Sequence, residues 1–171
     1  YHSAVSASPF VIQDVLIRAG YYGIYVDPVA QEALVHTNNV GNWYIGIAMN
    51  TFMYATGKGI IVAAYSSFMC SVADVITRGF VADSVDAELY LDVCHVRAQA
   101  TLNTIDGVYL NNGATARLTS CTFSRGTNAI HIGPNGTGGT LTAIGCYIRF
   151  GRFTKDIWIE NFGTAQFTGA C

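Results

Sequence analysis

The sequence predicts an all-β fold, a right-handed single-stranded parallel β-helix of about six to seven rungs. Three observations predict it. Short segments of one pattern recur along the 171 residues, four cysteines are spaced almost evenly, and turn residues separate strips in which apolar and other residues alternate. Such alternation is the period of a half-buried strand. No window carries a sustained apolar face with the period of a helix, so few helices are expected.

The first strip of each rung is a short segment that ends in an arginine, and it supplies the cysteines. Cys94, Cys121, Cys146 and Cys171 are 27, 25 and 25 residues apart. Because the rungs of a β-helix lie about 4.8 Å apart, equivalent side chains should stack in ladders. We expect buried free thiols in an inward ladder and arginines in an outward ladder at a solvent-exposed corner. The alternatives for the arginines are a groove for an anionic ligand, such as an acidic sugar, and pairing with carboxylates of another chain. The inward ladder is Val15, Val75, Cys94, Cys121, Cys146 and Cys171, and the outward ladder is Arg18, Arg78, Arg97, Arg125 and Arg149.

The second and third strips are alternating segments. The second recurs at residues 23–26, 59–62, 107–110, 129–132 and 156–159, and the third at 88–91, 116–118 and 140–143. The interval from Ile24 to Ile60 is 36 residues, longer than one rung. We therefore expect the added residues between Asp27 and Asn42 to form a loop at one corner of the solenoid. Loops of this kind often carry the function of a repeat protein.

The central residue of the second strip should point outward, because its neighbours point inward. This places Tyr109, His131 and Trp158 side by side on consecutive rungs, with Tyr25 several rungs away on the same face. The apolar face of a pyranose packs on such rings, so these four residues are the candidates for carbohydrate binding. The alternative is that the rings pack under a loop or against a neighbouring subunit.

Three carboxylates follow the second strip at equivalent positions, and they are the weak catalytic candidates: Asp27, Asp83 and Glu160. Asp27 and Asp83 should lie two rungs apart, about 10 Å, close to the carboxyl separation of inverting glycosidases. The alternative is that they are solvated carboxylates at strand ends. The four histidines share no ladder and no CxxC pair occurs, so we expect no metal site and no cofactor.

Composition limits the possible partners. Charged residues make up 12% of the chain and the net charge is −2. Typical domains are roughly 25% charged, so much of this surface should be apolar or buried against another chain. The absence of a basic run predicts no nucleic-acid partner. The most apolar stretch, residues 59–73, is shorter than the roughly 20 residues of a membrane span, so no membrane insertion is expected.

The domain prediction follows from where the repeat is found. It begins within ten residues of Tyr1 and is still running at Cys171. We therefore expect residues 1–171 to be a single β-helix domain and a fragment of a longer chain, because an open solenoid end needs a cap.

Repeats such as residues 116–132 (ARLTSCTFSRGTNAIHI) resemble rungs of the pectate-lyase-like superfamily, and most closely those of bacteriophage tailspikes and tail appendages. The resemblance implies a homotrimer in the virion, assembled in the host cytoplasm, that contacts other virion proteins and recognises a host-surface polysaccharide. The catalytic motifs of polygalacturonases and pectate lyases are absent, so no catalytic residue is carried over. Depolymerase activity, as a glycosidase or a lyase, is left open.

Two other functions stay open at this point. One is a non-enzymatic structural stalk or adhesion module, and the other is a free polysaccharide hydrolase or lyase. Function belongs to sites rather than to folds, so periodicity alone does not choose among them.

Overall fold

The computed structural model describes residues 9–17, 20–28, 30–42, 49–70, 77–98, 105–124, 126–133, 138–149, 155–160 and 163–169. These residues form an all-β parallel solenoid with three sheets and no helix. The chain passes through sheets A, B and C in turn, and each strand pairs with its equivalent in the next turn. The pairing is parallel throughout the described strands.

The strands are numbered in chain order. Sheet A contains β1 (Phe10–Gln13), β3 (Ala33–Asn38), β6 (Gly59–Ala64), β9 (Glu88–Asp92), β12 (Thr115–Thr119), β15 (Thr140–Ile144) and β18 (Thr164–Thr168). Sheet B contains β4 (Gly41–Asn42), β7 (Ser67–Cys70), β10 (His95–Ala98), β13 (Thr122–Ser124) and β16 (Tyr147–Arg149). Sheet C contains β2 (Gly20–Val26), β5 (Met49–Ala55), β8 (Thr77–Asp83), β11 (Ile105–Asn111), β14 (Asn128–Ile132) and β17 (Lys155–Ile159).

The core lies between the three sheets and is built by alternation. Every second residue of β6 is buried. Parallel register stacks each inward side chain on its equivalent, so that Ile61 pairs with Leu89, and Leu89 pairs with Ala116. The continuous apolar core that results holds the turns together.

The strands of sheet C differ because two successive residues face the core. In β5 these are Phe52 and Met53, both fully buried. In β11 the first of the two positions is Gly107, where a Cβ would lie 2.5 Å from the carbonyl oxygen of Ala129 and 2.7 Å from the ring of Phe123. Glycine therefore leaves room for the phenylalanine of sheet B. Because two successive residues face inward, the residues directly before and after them lie on the outer face of the sheet.

The corner between sheets A and B is one residue in the left-handed conformation after each sheet A strand. Its φ lies between 51° and 88°. The residues at this corner are Asp14, Asn39, Tyr65, Val93, Ser120, Gly145 and Gly169. A β-branched side chain is strained at positive φ, so Val93 is the least favourable residue of the set.

The predicted cysteine ladder is found for the three cysteines whose side chains are described. Cys94, Cys121 and Cys146 precede β10, β13 and β16, and all three are buried and free. Cys171 and Val75 lie outside the described residues. The place expected for Val75 next to Cys94 is taken by Ser66, because β10 pairs with β7.

The predicted arginine ladder is found only in part. Arg97 and Arg149 both lie in sheet B, where each pairs with Ser124, whereas Arg78 lies in sheet C, where it pairs with Asp106. Arg18 and Arg125 lie outside the described residues. An arginine near the end of a strip therefore does not identify a single position within the rung.

The predicted loop between Asp27 and Asn42 is also wrong, because this stretch contains β3 and β4. Ile24 pairs with Met53 in sheet C, and Ile60 pairs with Leu34 in sheet A. The 36 residues between the two isoleucines therefore span more than one turn. The segment 59–62 looked like the second strip because strands of both sheets bury alternate residues.

Candidate functional site

The outer face of sheet C collects the predicted site residues. Its central row, read along the pairing register, is Tyr25, Tyr54, Val81, Tyr109, His131 and Trp158. The three candidates Tyr109, His131 and Trp158 are thus on consecutive strands, and Tyr25 lies on the same row. Asp27, Asp83 and Glu160 lie at the ends of β2, β8 and β17 beside this row.

The rings of Tyr109, His131 and Trp158 pack directly on one another. The His131 and Trp158 rings are stacked with centroids 4.2 Å apart, and Tyr109 meets His131 edge-on at 4.9 Å. Tyr109 and His131 are only 6% and 8% exposed, whereas Trp158 is partly exposed. Little of the first two rings is open to a ligand, and carbohydrate binding by them stays a prediction.

A tyrosine platform, defined here as Tyr22, Tyr25 and Tyr54, lies at the other end of the face. Tyr22 is 4.7 Å from Tyr25 and 5.2 Å from Tyr54 between ring centroids, and Tyr25 is 5.3 Å from Tyr54. Tyr25 is 49% exposed and Tyr22 is 37% exposed. The platform is therefore a packed aromatic surface that solvent reaches.

Two of the predicted carboxylates hold the platform in place. The hydroxyl of Tyr25 donates to Asp27 at 3.0 Å, and the hydroxyl of Tyr54 donates to Asp83 at 2.7 Å. Asp83 also accepts hydrogen bonds from Asn111 at 2.9 Å and Asn112 at 2.7 Å. Burial and the hydrogen bond to Asp83 raise the pKa of Tyr54, so its hydroxyl stays protonated and acts as a donor.

The third carboxylate belongs to a charge chain, defined here as Arg78, Asp106, His131 and Glu160. Arg78 Nε is 3.5 Å from Asp106 Oδ2, which is 3.2 Å from His131 Nδ1. His131 Nε2 is 2.9 Å from Glu160 Oε1. The four residues come from β8, β11, β14 and the end of β17, and the charges alternate in sign when His131 is protonated.

The environment favours protonation of His131. Burial lowers the pKa of its imidazole, but hydrogen bonds to Asp106 and Glu160 outweigh burial, and the pKa is raised overall. The stacked face of Trp158 also favours a cation over it. The chain is then neutral as a whole, which lowers the cost of burying Asp106 at 3% exposure.

Two further contacts fix the chain. Asn128 Nδ2 donates to Asp106 Oδ1 at 2.6 Å, and the guanidinium carbon of Arg78 lies 3.9 Å from the centroid of the Tyr109 ring. Arg78 Nε is buried without a hydrogen bond, since 3.5 Å from Asp106 is an ion-pair distance. The ring of Tyr109 therefore supports the guanidinium of Arg78.

Sequence reasoning missed Tyr22, Tyr54, Arg78 and Asp106 as site residues. Tyr54 was missed because residues 59–62 were taken as the strip that follows Tyr25. Arg78 was assigned to the wrong ladder, which also hid its partner Asp106. Asp106 could have been identified from the sequence, because it directly precedes Gly107 and Val108, the two inward residues of β11.

No family model, curated protein or solved structure matches this chain significantly. The described residues include no group of three or more His, Cys, Asp and Glu side chains arranged to hold a metal ion. In the same part of the chain, no helix is long and apolar enough to cross a membrane.

Proposed function

We propose that this chain binds a polysaccharide of the host cell surface through the tyrosine platform. The observation that carries the proposal is the packing of three tyrosine rings at 4.7 to 5.3 Å, two of them substantially exposed, beside Asp27 and Asp83. Aromatic faces bind the apolar face of a pyranose, and carboxylates accept hydrogen bonds from its hydroxyls. The hydrogen bonds to Asp27 and Asp83 keep the rings preorganised, which lowers the entropic cost of binding.

The setting that we propose is a trimeric virion appendage of the tailspike type, within the pectate-lyase-like superfamily, with a right-handed helix of six to seven rungs. Its support is the resemblance of the repeats, the low charge and the exposed apolar residues Phe10 and Val11 of the first sheet A strand. Val11 and Val62 line a groove of about 320 Å³ on this face, together with polar residues that include His36. Contact with other copies would cover this face, and other virion proteins would extend the appendage.

The proposal is one of binding rather than of cleavage. Asp83 already accepts three side-chain hydrogen bonds, and Asp27 is separated from it by β5. His131 fills the space between Asp106 and Glu160, so no sugar fits between those two carboxylates. Asp27, Asp83 and Glu160 remain the residues to vary if polysaccharide shortening is observed.

A structural stalk is the second candidate function, and one observation favours it. Tyr109 and His131 are buried, and the charge chain connects four successive turns of the solenoid. These residues serve rigidity whether or not the tyrosine platform binds a ligand. The tyrosine platform distinguishes the two functions, because a stalk does not need exposed aromatic rings.

The test is binding of the purified chain to an array of bacterial capsular polysaccharides and lipopolysaccharides. For the polysaccharide that binds, Tyr25→Ala should weaken affinity at least about tenfold, a loss in line with removal of one aromatic hot-spot residue. Tyr90→Ala, an exposed tyrosine on sheet A, is the matched control and should change affinity less than about twofold. Binding by no polysaccharide, or equal losses in both variants, would leave the stalk as the better account.

A further inference from the structure

The outer face of sheet B carries a second site, a groove of about 350 Å³. Its lining comes from three neighbouring strands: His95 and Arg97 in β10, Thr122 and Ser124 in β13, and Tyr147 in β16. Register sets their positions, because His95 pairs with Thr122, Thr122 pairs with Tyr147, and Arg97 pairs with Ser124. The groove lies on a different sheet from the tyrosine platform.

The lining is polar and carries an uncompensated positive charge. It contains one guanidinium, one imidazole and three hydroxyls, and no carboxylate. Arg78 on sheet C is paired with Asp106. Arg97, by contrast, forms no ion pair with any residue in the part of the chain that the structure describes. A partly buried arginine without a counter-charge favours an anion in the groove.

His95 and Ser124 form a fixed pair within the groove. His95 Nε2 is 3.3 Å from Ser124 Oγ, and Ser124 is buried. Burial and the nearby Arg97 lower the pKa of His95, so its imidazole is neutral at pH 7. The groove therefore presents hydroxyl and imidazole donors around one guanidinium, with no negative group to repel an oxyanion.

We propose that this groove binds a phosphate-like oxyanion carried on a sugar. Donors on three strands surround the space, which suits an oxyanion whose oxygens point in several directions. The groove is larger than a bare phosphate ion, so a sugar ring fills the remaining volume. The proposal is independent of polysaccharide binding at the tyrosine platform.

The proposal also predicts coupling to a proton. An anion in the groove offsets the charge of Arg97 and makes the imidazolium of His95 more favourable, so the pKa of His95 should rise on binding. The titratable or charged side chains that face His95 among the described residues are Arg97 on its own strand and Tyr147 across β13. Ser67, its partner on β7, is uncharged. Affinity should therefore increase as the pH falls through the pKa of His95.

The experiment is calorimetric titration of the whole chain with glucose 1-phosphate, inorganic phosphate and glucose. We expect glucose 1-phosphate to bind most tightly and glucose not to bind. Arg97→Gln should weaken binding of glucose 1-phosphate at least about tenfold, as removal of a charged hydrogen-bond donor does. Arg117→Gln is the matched control, since it removes the same charge from the exposed face of sheet A, and it should have less than about a twofold effect.

Three results would overturn the proposal in whole or in part. No binding of either phosphate, or equal losses in the two arginine variants, would overturn the site. Equal affinity for inorganic phosphate and glucose 1-phosphate would overturn the sugar part of the proposal and indicate a site for free phosphate.

Circular dichroism of Arg97→Gln shows whether it folds, and Ser124→Ala provides a second variant that should weaken binding several-fold. Tyr25→Ala should leave phosphate binding unchanged, so failure of this site and failure of the platform are distinguishable.

Discussion

The imidazole of His131 lies 3.2 Å from the carboxylate of Asp106, which is buried in an outward-facing position of sheet C. A buried charge in such a position needs compensation, and it comes from Arg78 on one side and His131 on the other. Glu160 then pairs with the far nitrogen of His131. The contacts are therefore interdependent, and removing one member should affect the others.

Stability should depend on pH through His131. Its folded pKa is raised above the usual value, so its contribution is fully present below the unfolded pKa and is lost as pH rises through the folded pKa. We expect the free energy of unfolding of the wild-type protein to fall relative to that of His131→Gln as the pH rises from about 6 to 9. Urea denaturation of both proteins across this range measures the difference, and a difference independent of pH would contradict the assignment.

Removal of the buried carboxylate should cost more than removal of an exposed one. Asp106→Ala leaves Arg78 and His131 without their shared counter-charge, and we expect the free energy of unfolding to fall by about 3 kcal/mol. Asp92→Ala, at the exposed end of β9, should cost less than about 0.5 kcal/mol. Equal losses in denaturant unfolding would show that the charge chain does not stabilise the solenoid.

The left-handed corner predicts a stabilising substitution. Val93 has φ of 51° and is exposed, whereas the same corner of an earlier turn is occupied by Asn39, a residue that tolerates this conformation. Val93→Asn should raise the free energy of unfolding by about 1 kcal/mol. Val85→Asn, at an exposed turn without positive φ, is the control and should give no gain in thermal denaturation.

The thiol of Cys121 should be unreactive in the folded protein. Hydrogen bonding to Cys146 lowers the pKa of the Cys121 thiol, but hydrogen bonding to Cys94 and burial outweigh it and raise the pKa to about 12. A thiol that is buried and protonated reacts slowly. Iodoacetamide labelling followed by peptide mass spectrometry should modify Cys121 only after denaturant is added. Modification of the native protein at the rate of a free thiol would contradict its place in the core.

The regular parts of the fold could be predicted from the sequence because parallel register repeats them. Cys94, Cys121 and Cys146 occupy equivalent places, and so do Tyr109, His131 and Trp158. Each set comes from neighbouring turns of similar length, so spacing along the chain translated directly into position. The alternation that marks a strand is the same in all three sheets, however. For this reason Gly59 was placed in sheet C although it begins a strand of sheet A.

The site could be predicted only in part because its contacts cross between turns. The bond of Tyr54 to Asp83 and the ion pair of Arg78 with Asp106 join residues 29 and 28 positions apart. Finding these contacts requires the length of each turn. The assignment of residues 59–62 to the second strip gave a wrong turn length in this part of the chain. Tyr109 and His131 are buried on an outer face because neighbouring side chains cover them. The alternation of the sequence predicts the face on which a residue lies, but not whether other side chains cover it there.

The most direct test of the account is tyrosine ring NMR of the protein titrated with a polysaccharide that it binds. Ring carbons labelled with ¹³C and assigned by substitution report each tyrosine separately. We expect the signals of Tyr22, Tyr25 and Tyr54 to shift in proportion to saturation, while those of Tyr90 and Tyr65 on other surfaces stay in place. Shifts confined to tyrosines outside the platform would contradict the claim that sheet C is the recognition face.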